Sequence, residues 1–137
     1  MKKLMLGLMM AFAATAAMAE GYVAEVISVN GSVTGYASLK DALGAVGAPG
    51  AAFTNTVRLI CDVTENVTLA SWKAAILDLN GFTLMGKDET KSVITINSYS
   101  ALTLTDTSAE QTGTVTMPAD ARGAIFFSLH RAVNLFA

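Results

Sequence analysis

A single cysteine, Cys61, stands in the whole chain, which excludes an internal disulfide. It lies in the apolar run Leu59-Ile60-Cys61-Asp62-Val63 and reads as a small buried hydrophobe rather than a nucleophile. Histidine is equally scarce. His130 is the only one, a few residues from the last position, where the rigid hydrogen-bonded support that a Ser-His-Asp system needs is not expected. Charge is thin as well, at 15% of residues, and no cluster of basic side chains occurs. That argues against nucleic acid or an anionic membrane surface as partner. No phosphate loop, zinc-ligand spacing or calcium-binding repeat is present, so neither metal nor cofactor is expected.

What the sequence does contain begins with an export signal. Lys2 and Lys3 form a positive start, Leu4 to Ala17 are uncharged and apolar, and Ala17-Met18-Ala19 supplies the small-x-small pattern of a cleavage site. Residues 1–19 therefore read as a signal peptide with Glu20 as the mature N-terminus. The apolar run, roughly 14 residues, falls short of the ~20 that span a bilayer, so no membrane span is expected after cleavage. The short Lys-Lys opening is bacterial in style. Cleavage leaves seven basic against eleven acidic residues, a net charge of −4. The mature part suffices for one domain with one core.

Three textures follow. Residues 20–37 read as an N-terminal hairpin, with Asn30-Gly31 as the positive-φ pair of a type I′ turn between Val23–Val29 and Ser32–Tyr36. Residues 38–47 read as a helix. Ser38 and Asp41 resemble a capping box, Leu39, Ala42, Leu43 and Val46 recur at helical spacing, and Gly47 stands just past the end. From Thr56 to the end the chain reads as short strands rich in Val, Ile, Leu and Thr: Val57–Val63, Val67–Leu69, Ile76–Leu79, Phe82–Met85, Val93–Ile96, Leu102–Thr105 and Thr114–Met117, with two more at Gly123–Phe127 and Ala132–Phe136 or, in their place, an amphipathic C-terminal helix. Triads such as Val67-Thr68-Leu69 and Leu102-Thr103-Leu104 put two apolar side chains on one face and a Thr on the other. Asn66, Asn80 and Asn97 stand at strand junctions, where a left-handed backbone serves a sharp bend, and their irregular spacing suggests a repeat.

Tyr36 to Leu43, Thr56 to Ile60 and the bend Leu77-Asp78-Leu79-Asn80-Gly81 together resemble the opening of right-handed parallel β-helix proteins of the pectin-lyase-like superfamily. The resemblance covers Tyr36 to Met117 and implies an all-β solenoid with an N-terminal capping helix, coils over residues 56–137, and a truncated C-terminal end. An antiparallel β-sandwich is the other architecture such short strands suit. A helix laid over the first coil would cover its apolar face and strand edges, and an uncapped far end would permit self-association.

The resemblance says little about activity, because that superfamily holds lyases, hydrolases and adhesins. If Cys61 and Leu77 are stacked core positions, Asp62 and Asp78 point outward about one strand spacing apart, ~4.8 Å, a separation that suits glycoside hydrolysis or Ca²⁺. No third ligand stands near them, and Arg58, Lys73 and Arg122 are the only basic residues placed to serve as a lyase base. Trp72, between Ser71 and Lys73, is a candidate for packing over the strand edges or, if exposed, for stacking on a sugar ring. Asn66-Val67-Thr68 matches a glycosylation acceptor. The expectation is an exported scaffold or adhesin-like chain, in the periplasm, at the cell surface or outside the cell. It would contact carbohydrate or surface components and carry no assigned catalytic residue. The alternative is the remnant of a polysaccharide lyase or hydrolase acting on acidic glycans.

Overall fold

A computed structural model describes residues 21–50, 54–118, 125–127 and 134–135. The order is β1 (Ala24–Ile27), β2 (Val33–Tyr36), α1 (Leu39–Gly44), β3 (Asn55–Leu59), β4 (Val63–Thr64), β5 (Val67–Leu69), β6 (Ala74–Asp78), β7 (Thr83–Met85), β8 (Ile94–Ile96), β9 (Ala101–Thr105), β10 (Thr114–Thr116), β11 (Ile125–Phe127) and β12 (Asn134–Leu135). The expected signal peptide, with Ala17, Ala19 and Glu20, lies outside the described residues, as do Arg122 and His130.

The strands form one six-stranded sheet in the order β12-β9-β6-β3-β1-β2 and two three-stranded sheets, β10-β7-β4 and β11-β8-β5. This corrects the expected right-handed parallel β-helix with its capping helix. The largest sheet is mixed: β1 runs antiparallel to both of its neighbours, β2 and β3. A chain that reverses through a tight loop must pair antiparallel, whereas a parallel partner needs a long crossover. The loop from Ser28 to Ser32 makes that reversal, with Gly31 at φ 84°. The alternative of a wholly antiparallel sandwich is corrected too, because every pairing from β3 onward other than β1–β3 is parallel. Three small sheets packed on one shared core make a β-sandwich-like arrangement of mixed strand direction.

Register explains the core. Val57 lies beside Leu77 and Leu77 beside Leu104; Val63 lies beside Leu84 and Leu84 beside Val115. Val67 and Leu69 face Ile94 and Ile96. All of these but the half-buried Val115 are buried. The Thr triads hold at Val67-Thr68-Leu69 and Leu102-Thr103-Leu104, whose outer residues are buried. The expected run Val57–Val63 breaks at Ile60-Cys61-Asp62 into β3 and β4, which belong to different sheets. Alternating apolar residues continue through that bend, so periodicity alone could not mark it.

The two Asn-Gly pairs behave differently. Asn80 and Gly81 both have positive φ, 50° and 80°, and Phe82 N–H donates to Leu79 O at 2.9 Å, as a type I′ turn requires. At Asn30-Gly31 only the glycine is left-handed, and Asn30 Oδ1 accepts from Ser32 N–H inside a five-residue loop. On β2, Gly35 carries no Cβ because the Tyr22 ring occupies that space.

Helix α1 starts where the capping signal placed it. Ser38 is extended at φ −142°, and its hydroxyl accepts from Asp41 N–H at 3.1 Å. A second acceptor for the first turn comes from elsewhere: the Glu65 carboxylate accepts from Leu39 N–H at 3.0 Å and Lys40 N–H at 3.1 Å. Two orphan donors of the first turn are thus met by a residue beyond β4. At the other end the Lys73 ammonium donates to the carbonyls of Gly44 (3.1 Å) and Val46 (2.7 Å), where a cation complements the helix dipole. Leu39, Ala42, Leu43 and Val46 are all buried, and the helix packs chiefly on β5.

Candidate functional site

The turns β5–β6 and β8–β9 sit one above the other. Ala74 is in register with Ala101, and Leu69 with Ile96. Trp72 and Tyr99 therefore occupy equivalent places in adjacent turns. Both have left-handed backbone, φ 62° and 61°. Their rings stack with centroids 4.6 Å apart and planes 8° from parallel. Both residues are nonetheless exposed, Trp72 at 63% and Tyr99 at 51%. Positive φ in a bulky residue is a genuine outlier that costs on the order of 1–3 kcal/mol. An aromatic stack returns about 0.5–1.5 kcal/mol. The balance does not favour these residues for stability, and Gly or Asn would fill the same turns at lower cost. The turns are built firmly beneath them: Ser100 Oγ donates to Ala70 O at 2.6 Å, and Ala101 N–H donates to Lys73 O at 3.0 Å.

The acids of the sequence reading are not brought together. Asp78 lies in register with Arg58 and Thr105, not with Asp62. It is wholly buried although it follows the core residue Leu77 on β6, because Arg58 and the segment after β9 cover it. Its carboxylate accepts from Arg58 Nε (3.2 Å), Asn80 N–H (3.0 Å), Thr107 N–H (3.0 Å) and Thr107 Oγ1 (2.6 Å). Four donors leave it no free lone pair aimed at solvent. Asp62 is exposed in the bend between β3 and β4, and its Oδ1 accepts from Thr83 N–H at 2.8 Å. Of the three basic residues considered as a lyase base, Arg58 is tied to Asp78 and Lys73 to the end of α1.

Asp106, which sequence reading passed over, does comparable work. It accepts from Gly81 N–H, from Ser108 N–H and Oγ, and from Gly113 N–H, and so joins the β6–β7 turn to the β9–β10 loop. The Ser108 hydroxyl, followed by the backbone donors, holds its carboxyl below the usual range despite some desolvation. Asp-x-Ser is a local turn signal by which this residue could have been found. Asn66, flagged as a glycosylation acceptor, is a structural hub. Its amide donates to the carbonyls of Asp88, Lys91 and Ser92, and its oxygen accepts from Lys87 and Asp88 N–H at 2.9 and 2.7 Å. Cys61 is only half-buried. Burial first, and the Asp62 carboxylate second, push its thiol up, which leaves it a poor nucleophile at neutral pH.

A cleft of about 570 Å³ lies between α1 and the β7–β8 loop, lined by Lys40, Lys87, Lys91, Glu65, Asp88 and Glu89 among others. Its charges are mixed, and Asp88 is paired with Lys91 at 3.2 Å. Among the described residues no three His, Cys, Asp or Glu side chains gather as a metal site, and no helix is long and apolar enough to cross a membrane. Comparison with known proteins found no matching family model, no matching curated protein and no matching solved structure. Nothing in it bears on the resemblance to pectin-lyase-like proteins.

Proposed function

We propose that this chain is an exported scaffold of adhesin-like character that contacts carbohydrate through the Trp72–Tyr99 pair. The observation that carries the reading is that pair: two solvent-exposed aromatic rings held parallel on strained backbone at equivalent turns. Strained, exposed aromatics that do not serve stability are candidates for binding. Export rests on Lys2-Lys3, the apolar run to Ala17 and the Ala17-Met18-Ala19 pattern.

Two measurements test this. N-terminal sequencing of material exported from the producing cell should begin at Glu20, and recovery of Met1 or Lys2 on it overturns the export reading. Co-sedimentation of the mature chain with insoluble cell-wall polysaccharides should show retention that Trp72→Ala with Tyr99→Ala abolishes. Equal retention of the double variant, or no retention of the wild type on any polysaccharide, removes the carbohydrate reading.

A further inference from the structure

The geometry of the aromatic pair says more about its ligand than that it is a sugar, and we infer that the site takes a neutral saccharide, one ring of which covers the outer face of Trp72 as a third layer on the Trp72–Tyr99 stack. This deepens the carbohydrate reading above and rests on it. Three observations converge. Trp72 gives one face to Tyr99, 4.6 Å away and almost parallel, yet 63% of the residue stays exposed. A ring with one face covered reaches that exposure only if its other face and rim are open. The two rings lie face to face rather than side by side, so they offer no broad coplanar floor for two sugar units. The stack presents a single-ring platform at its end.

Charge selects the class. The five described cationic side chains are Lys40, Arg58, Lys73, Lys87 and Lys91. Lys73 adjoins Trp72 in sequence, but its ammonium is drawn to the carbonyls of Gly44 and Val46. Arg58 is held by buried Asp78. The other three line the cleft at the opposite end of α1 with Glu65, Asp88 and Glu89. Lys73 is thus the one described cation near Trp72, with two of its three donors taken by carbonyls, and the net charge of −4 on the mature chain repels a polyanion. Apart from Lys73, the residues next to the two rings in sequence are uncharged: Ser71, which is exposed, before Trp72, and Asn97 and Ser98 before Tyr99. Amide and hydroxyl groups suit sugar hydroxyls, and the open indole face suits the C–H face of a pyranose.

Trp72 is the only tryptophan of the chain, so its emission reports this site directly. The experiment titrates the mature protein with hexasaccharides of a neutral β-glucan, β-mannan and β-xylan, and with oligogalacturonate of equal length. Calorimetry follows each binding by an independent signal. The expected result is a saturable change in Trp72 emission with at least one neutral oligomer, and affinity for oligogalacturonate at least tenfold weaker. Tyr99→Ala, which removes the backing ring, should weaken the neutral ligand several-fold. Trp72→Gly, which suits the left-handed backbone and should fold, should abolish binding by calorimetry. Tighter binding of oligogalacturonate with a Trp72 response overturns the neutral class but leaves the carbohydrate reading standing. Calorimetric binding that survives Trp72→Gly places the ligand elsewhere and overturns this inference. No binding of any oligomer overturns both readings.

Discussion

Removing the carboxylate of Asp78 should be more damaging than removing the guanidinium that pairs with it. Asp78 is fully buried, whereas the Arg58 side chain is 38% exposed. In Asp78→Ala, the backbone N–H groups of Asn80 and Thr107 lose their acceptor inside the fold, and Arg58 loses its partner. The two N–H groups left without an acceptor cost about 1–3 kcal/mol each. In Arg58→Ala, Asp78 keeps the Asn80 N–H, Thr107 N–H and Thr107 hydroxyl, and one part-buried charge-assisted hydrogen bond is lost. That change should cost about 1.5–3 kcal/mol. Urea denaturation of the mature protein reads both, and in thermal melts the Asp78 variant should drop by roughly 10–20 °C. Asp78→Asn should fall between them, since one oxygen remains to accept from the two N–H groups while the amide meets the Arg58 donor. If Arg58→Ala is as damaging as Asp78→Ala, the ion pair and not the backbone network anchors this region, and the reasoning fails.

Leu39→Ala and Leu43→Ala should each cost about 2–5 kcal/mol, because both side chains are fully buried beneath α1; a loss under 1 kcal/mol in chemical denaturation would show that the helix docks loosely. Asp106 and Asp88 are both held below the usual carboxylate range, Asp106 first by the Ser108 hydroxyl and Asp88 first by the Thr90 hydroxyl. A carboxylate with a depressed folded pKa contributes stability above its unfolded value and loses it as pH falls through the folded one, so stability should fall below about pH 4. Asp106→Asn should flatten that acid limb, and an unchanged slope would refute the assignment. Gly113→Ala should cost about 1–3 kcal/mol, since a Cβ there would lie 2.6 Å from Leu79 Cβ and from Asp106 Oδ2; wild-type stability would mean that the β9–β10 loop yields freely.

Local signals in the sequence settled local structure. The Ser38 cap, the helical spacing of Leu39, Ala42, Leu43 and Val46, the Asn80-Gly81 turn and most of the short strands depend on neighbours within a turn or two. Their backbone preferences act whatever the rest of the chain does. Only the tertiary structure decided what depends on register and strand direction. Alternation states that a residue faces inward or outward, not which strand lies beside it. Asp78 was therefore read as a solvent-facing partner of Asp62, when its strand neighbour is Arg58 and a later loop covers it. The same gap hid the antiparallel pairing of β1, which turned an expected parallel coil into a mixed sheet, and the capping of α1 by Glu65. It also hid the main feature of the surface. Trp72 was visible as a lone aromatic, but its pairing with Tyr99 exists only because β5–β6 and β8–β9 are parallel and in register, which brings two distant turns within 4.6 Å.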